Sequence, residues 1–253
     1  MLNTIRHGHP TDRRPLLIAH GLFGSARNWG VIAKRLSDTR EVIAVDMRNH
    51  GASPWSDSHA YGDLAADLAD VIGNRPCDVL GHSMGGKAAM VLAVTHPDLV
   101  GRLVVADIAP VAYDHSQADL IEQMRAVDLS RVSRRSEAAA QLSNVPDDGT
   151  RAFLLQSLDV AEQRWTLNLD ALQAEMPGII GFPDLTGAFS GPTLFLSGGE
   201  SDYVRPEHRA RIKALFPTAR LASIPGAGHW LHAQKPREFE AALRMFLDAG
   251  KGP

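Results

Sequence analysis

The segment that most constrains this chain is Gly81-His82-Ser83-Met84-Gly85, set between a short apolar strand, Asp78-Val79-Leu80, and a small-residue helix opening at Gly86-Lys87-Ala88-Ala89. Glycines two residues either side of a serine, at a strand-to-helix junction, keep Cβ atoms out of a crowded backbone crossing. They let the serine occupy a strained turn with its hydroxyl held outward. The spacing alone arises by chance about 0.1 times in a chain of this length at average Gly and Ser usage. The flanking elements therefore carry the argument, and together they predict a nucleophile elbow with Ser83 as the nucleophile.

Short apolar runs at 15–19, 41–45, 77–80, 103–106, 193–196 and 220–224 read as buried strands of a parallel sheet. Between them, 28–36, 61–72, 86–95, 207–216 and 236–247 carry apolar residues at three- and four-residue intervals, as helices do. This alternation predicts a three-layer α/β architecture with a mostly parallel central sheet and ligand chemistry at the carboxyl ends of the strands. Residues between Asp107 and Thr193 show helical patterns and no strand, broken at Pro146-Asp147-Asp148-Gly149 and Pro177-Gly178. The expected organisation is a core of residues 1–111 and 187–253 with a helical lid, residues 112–186, inserted over the active end. Along 61–72, Leu64, Leu68, Val71 and Ile72 share one face, while Asp63, Asp67 and Asp70 point to a solvated surface and form no metal site.

The 253 residues carry a net charge of −3 with 44% hydrophobic and 22% charged side chains, a balance that argues against a nucleic-acid partner. The basic clusters at Arg13-Arg14 and Arg134-Arg135 are short and read as solvated surface. Cys77 is the sole cysteine, so no intramolecular disulfide can form and a reducing compartment is compatible. No stretch has signal-peptide character or reaches membrane-spanning length, which makes the cytoplasm the expected location and a membrane anchor unexpected. Nothing in the composition fixes the oligomeric state.

A serine hydroxyl is a poor nucleophile until a base takes its proton, so the elbow calls for a histidine oriented by a carboxylate, in the chain order Ser, acid, His. His229 fits the base: it lies in Pro225-Gly226-Ala227-Gly228-His229-Trp230, a glycine-rich loop directly after the last strand. His232 lacks the companion motif a metal pair with His229 would need. Two aspartates fit the acid. Asp107 ends the strand after the nucleophile helix, and Asp202 follows the penultimate strand in Ser197-Gly198-Gly199-Glu200-Ser201-Asp202. Spacing leaves that choice open.

His20-Gly21-Leu22-Phe23-Gly24 follows the first long strand, where an oxyanion loop belongs. The expected donors are the backbone N–H groups of Met84 and of Leu22, with Phe23 as the alternative. Asp46-Met47-Arg48-Asn49-His50-Gly51-Ala52-Ser53-Pro54 is dense in polar side chains and reads as a structural tie for the loops around the active end, with His50 bonded locally. His82 reads as a hydrogen-bonding support. Trp29, Trp55, Trp165 and Trp230 are candidates for core or acyl-pocket walls.

With these pieces in place the chain resembles the α/β-hydrolase superfamily over nearly its whole length. His20 to Ser25, Asp46 to Pro54, Gly81 to Lys87, Asp107-Ile108-Ala109-Pro110-Val111 and Gly226 to Trp230 together resemble the YbfF-type esterases. Asn49 and the Asp-Ile-Ala-Pro-Val string are the most specific parts. The resemblance implies hydrolysis of short- to medium-chain carboxylic esters or thioesters, acyl-CoA among them, through an acyl-enzyme on Ser83, with neither metal nor cofactor. It also favours Asp107 over Asp202 as the acid. Other serine-elbow chemistries of the fold are the alternatives: C–C bond hydrolysis, a menaquinone-pathway lyase, a perhydrolase, or a hydrolase-fold ligand receptor.

Overall fold

The computed structural model describes residues 1–249. Nine strands are present among them: β1 Thr4–His7, β2 Leu16–Ala19, β3 Val42–Val45, β4 Cys77–His82, β5 Val100–Ala106, β6 Leu158–Asp159, β7 Arg164–Trp165, β8 Thr193–Gly198 and β9 Arg220–Ile224. Seven build one sheet in the order β1-β3-β2-β4-β5-β8-β9. All its neighbours run parallel except β1, which pairs antiparallel with β3 along the edge.

The sheet is central because its strands are apolar on both faces. Successive side chains point to opposite faces, so Leu17, Ile43, Val79, Leu103 and Val105 join one buried cluster while Leu16, Ile18, Val42, Leu80 and Val104 join another. Helices α1 Gly30–Leu36, α2 Tyr61–Ile72 and α3 Met84–Thr95 follow the first strands. In α2, Leu64, Leu68 and Ile72 are buried. Helix α3 is buried almost all round, with Ala88, Ala89 and Ala93 allowing close approach to the strands.

The insertion after β5 contains α4 Ala118–Arg125, α5 Arg135–Gln141, α6 Asp148–Leu154, α7 Leu169–Ala174 and α8 Met176–Ile180. Two features depart from the expectation of helix alone. Strands β6 and β7 form a two-residue antiparallel hairpin around Gln163, whose φ is 47°. Pro177-Gly178, expected to separate elements, lies inside α8. A proline in the first helical turn lacks only an N–H that has no partner there, so it begins the helix instead of ending it. The core closes with α9 Arg209–Leu215, α10 Leu231–Gln234 and α11 Pro236–Leu247.

The carboxylates on α2 are not all free in solvent. Arg48 Nε donates to Asp67 Oδ2 at 2.6 Å, and its Nη1 lies 3.5 Å from Asp63 Oδ2, so two of the three neutralise the loop after β3. That loop is bound inward as well. Asp46 accepts from the N–H groups of Ala26 (2.7 Å) and Ala52 (3.0 Å) and from the Asn3 amide (2.8 Å). Asn49, at φ 65°, accepts at Oδ1 from Ser56 N–H and from the amide of Asn168, tying the core loop to the insertion. Cys77 is buried and free.

Candidate active site

Ser83 leaves β4 with φ 52° and ψ −121°, a region that costs a non-glycine residue on the order of 1–3 kcal/mol. Its neighbours make the turn possible. A Cβ on Gly81 would lie 2.3 Å from Gly85 O, and one on Gly85 would lie 2.4 Å from His20 O. Five non-glycine residues have positive φ among those described. Four of them, Phe23, Asn49, Ser83 and Asp107, sit in the loops at the carboxyl ends of β2, β3, β4 and β5. Backbone strain is thus concentrated at one end of the sheet, where observed outliers point to function.

His229 comes from the loop after β9, turned by Gly226 at φ 67°. Its Nε2 lies 3.0 Å from Ser83 Oγ and its Nδ1 lies 2.7 Å from Asp107 Oδ2. Asp107 is fully buried, and its carboxylate is further held by Gly198 N–H on Oδ1 (2.9 Å) and the Ser201 hydroxyl on Oδ2. Three donors thus converge on this one carboxylate. The carboxylate in turn fixes which imidazole nitrogen carries the proton, leaving the Nε2 lone pair toward Ser83. Asp202 is elsewhere: it is exposed, and its backbone carbonyl accepts from Arg205 Nε at 2.9 Å. The loop after β8 contributes Gly198 and Ser201 to the carboxylate of Asp107 instead of a carboxylate of its own. Neither residue stood out in the sequence, because a backbone N–H and a serine hydroxyl carry no pattern.

Two further rings set the imidazole. Tyr203 stacks on His229 with centroids 4.0 Å apart. His82 donates from Nε2 to the His229 carbonyl at 2.9 Å, and burial lowers its pKa well below the usual histidine value, keeping it neutral. His232 stacks on Trp29 at 4.2 Å and is pushed by burial to about 3. Among the described residues, no group of three or more His, Cys, Asp or Glu side chains is arranged to hold a metal.

Ser83 opens into a cavity of about 290 Å³ lined by both core and insertion. Leu22, Phe23 and Ile108 supply core walls, while Leu120, Phe153 and Leu154 descend from the insertion. Leu22 and Met84 both border it beside Ser83. The Phe23 N–H is engaged elsewhere, donating to His50 Nε2 at 3.2 Å. Of the tryptophans, Trp29 and Trp230 line this cavity. Trp165 is buried in the insertion with its indole N–H on Met124 O, and Trp55 is 53% exposed beside a separate shallow groove.

Lys87, one helical turn beyond Ser83, also borders the cavity and is 2% exposed. Its ammonium donates to the carbonyls of Ile180 (2.8 Å) and Gly181 at the end of α8, and lies 4.8 Å from the Tyr113 ring centre. Tyr61 Oη donates to Ile179 O at 2.6 Å, and Tyr113 N–H to Ile180 O at 3.0 Å. A cation at the carbonyl end of a helix meets the negative end of its dipole. Burial alone pushes the lysine down to about 7. No local pattern announces this role, since the lysine and its acceptors are more than 90 residues apart.

A seven-stranded, mostly parallel sheet with a serine at a strained strand-to-helix turn, and a histidine and buried aspartate from later strands beside it, defines an α/β hydrolase. A sequence profile of the Alpha/beta hydrolase family matches residues 16–242, and the chain belongs to that family. It is 43% identical over 247 residues to the mouse (Mus musculus) sn-1-specific diacylglycerol lipase ABHD11, covering 92% of this chain and 80% of that one. It is 39% identical over 242 residues to esterase YbfF of Escherichia coli K12, covering 94% of each. Among solved structures, a marine microorganism esterase superposes with a TM-score of 0.92 at 39% identity, covering 97% of this chain and 98% of that one. No helix among the described residues is long and apolar enough to cross a membrane.

Proposed function

We propose that this chain is a serine carboxylesterase, acting on small carboxylic esters or thioesters with short- to medium-length acyl groups. The observation that carries the reading is the continuous contact from Ser83 Oγ through His229 to the buried carboxylate of Asp107. Names of relatives that specify an esterase and a diacylglycerol lipase support the ester bond as the target.

In the proposed cycle, His229 Nε2 takes the Ser83 proton as Oγ attacks the acyl carbonyl, and the carbonyl π pair moves onto oxygen. The Leu22 and Met84 N–H groups receive that oxyanion. Met84 opens α3, so its N–H has no partner within the helix and is available. Collapse of the tetrahedral adduct expels the alkoxide or thiolate, which takes the proton back from His229. The acyl group remains on Ser83. Water then repeats the attack with His229 as base, releasing the acid and restoring the serine. Asp107 holds the Nδ1 hydrogen of His229 and steadies the imidazolium. Every group in the cycle is a protein group or substrate, so the chemistry calls for no metal or organic cofactor.

The apolar walls suit an acyl chain. Ser83→Ala should abolish turnover of p-nitrophenyl butyrate and labelling by a fluorophosphonate; undiminished hydrolysis by the pure variant overturns the reading. A scan of acyl length on p-nitrophenyl esters beside acyl-CoA substrates assigns chain length and leaving group. Cavity depth sets the first and the mouth sets the second.

A further inference from the structure

The loop proposed to carry an oxyanion donor is fastened by two histidines outside the triad, and they do it reciprocally. His20, on the loop after β2, directs Nδ1 to the carbonyl of Gly21 in its own loop (2.8 Å) and accepts at Nε2 from Met47 N–H in the loop after β3 (3.0 Å). His50, on the loop after β3, directs Nδ1 to the carbonyl of Arg48 in its own loop (2.9 Å) and accepts at Nε2 from Phe23 N–H in the loop after β2 (3.2 Å). The two rings meet edge to face with centroids 5.0 Å apart, at 1% and 0% exposure.

This geometry fixes both tautomers. A ring nitrogen against a carbonyl oxygen must carry hydrogen, and one facing a backbone N–H must offer its lone pair. Each ring is therefore neutral and singly protonated at Nδ1. A second proton would set N–H against N–H. Around the pair stand Asp46, His59 and Arg48, and burial lowers both histidines below their ordinary value. His59 continues the chain toward the elbow: its Nδ1 accepts from the Asn49 amide (3.3 Å) and its Nε2 lies 3.1 Å from Met84 Sδ.

We propose that His20 and His50 are positioning residues for ester hydrolysis: they lock the loop after β2 so that Phe23 N–H is spent on His50 and Leu22 N–H is left facing Ser83. Phe23 holds φ 62°, which is costly for a bulky side chain. Without the acceptor at His50, that residue relaxes and carries the adjoining Leu22 peptide with it. The inference rests on the acyl-enzyme reading above and adds to it a choice between the two candidate donors.

The test compares His50→Ala, His50→Gln and His50→Asn with wild type and Ser83→Ala, measuring kcat and KM on p-nitrophenyl butyrate. It also measures inhibition by an alkyl trifluoromethyl ketone, whose hemiketal on Ser83 places an oxyanion where the tetrahedral adduct does. Glutamine carries an acceptor oxygen at about the reach of Nε2, whereas asparagine reaches only the Nδ1 position. His50→Ala and His50→Asn should lose roughly 10- to 100-fold in kcat, a fraction of the effect of deleting a donor outright. They should weaken the ketone by a matching factor, with KM nearly unchanged, and His50→Gln should recover most of both. Should His50→Ala fail to fold, the glutamine and asparagine variants decide: equal kcat and equal ketone affinity in the two overturns the proposal. So does a folded His50→Ala with wild-type values, or one whose kcat falls while the ketone binds as before. Activity surviving in Ser83→Ala overturns the acyl-enzyme reading and this inference with it. Activity lost there but indifferent to His50 overturns this inference alone.

Discussion

Lys87 and Ile180 join the helix that begins at the nucleophile to the last helix of the insertion: the ammonium of one, on a side chain only 2% exposed, donates to the carbonyl of the other at 2.8 Å. The insertion is thereby docked within one helical turn of Ser83. Lys87→Met keeps the length of the side chain but removes the donor. Ile180 O keeps the Tyr113 N–H, but Gly181 O loses the ammonium that donates to it; an acceptor left unpaired away from water costs about 1–3 kcal/mol, and a chain of this size loses roughly 2–4 °C in Tm per kcal/mol. The expected outcome is a Tm several degrees lower, with limited proteolysis cutting first between residues 112 and 186. A variant as heat-stable and protease-resistant as wild type would contradict the docking role.

The two candidate acids separate cleanly by mutation. Asp107→Asn leaves the contact to His229 in place but no longer holds the productive tautomer, and is expected to lower kcat on the order of 10⁴-fold, as in serine proteases. Asp202→Asn, on an exposed side chain, should remain within a few-fold of wild type. Steady-state kinetics on one ester substrate decide the matter, and the reverse ranking would move the acid to the loop after β8.

Acid should unfold this protein early. Burial pushes His59 and His232 to about 3, and lowers His20, His50 and His82 as well. In the unfolded chain histidines take up protons near pH 6.5, so below that value the unfolded state binds more protons than the folded one. The stability is fully present above about pH 6.5 and drains away as pH falls toward the folded values. Each such histidine adds a slope of about 1.4 kcal/mol per pH unit. Urea midpoints measured at pH 7, 6 and 5 are expected to drop steeply; a flat series would mean that these rings are protonated in the folded state.

Gly85 and Gly30 make a matched pair. A methyl group on Gly85 would lie 2.4 Å from His20 O and 2.5 Å from Ala19 O, both backbone atoms at the end of a central strand, whereas Gly30 has nothing within 4 Å. Gly85→Ala should cost on the order of 3 kcal/mol or more. Gly30→Ala, on a helical backbone with φ −54°, should be neutral or gain about 0.5–1 kcal/mol. Chemical denaturation of the two variants side by side measures the difference.

The parts of this molecule that were readable from sequence are those whose cause is local. Leu16 to Ala19 and Cys77 to His82 are continuous buried runs. The elbow glycines, and the glycines before His229, announce their turns directly. What escaped is set by distant partners. β1 has three polar residues among its four, one of them exposed, and becomes a strand only because β3 offers an edge. The β6–β7 hairpin is two residues deep and too short for any alternation to register. Asp67 has the helical spacing of a solvated face, and only Arg48, reaching it from the loop after β3, makes it a tie. The contacts of Gly198 and Ser201 to the Asp107 carboxylate join residues 91 and 94 positions apart, and no spacing along the chain encodes them.

Asp107 lies immediately after β5, four residues before the chain departs into the insertion at Val111. Tyr113, just past that exit, receives the Ala109 N–H on its hydroxyl and passes its own hydrogen to Tyr203 O, in the residue stacked on His229. The root of the insertion and the electrostatic support of the imidazole therefore share one stretch of seven residues. Exchanging this covering for that of a relative meets a seam that cannot be cut at the strand end. A graft joined beyond Tyr113 preserves the imidazole's support, and one joined at Ile108 brings a new pocket at the expense of the chemistry beneath it.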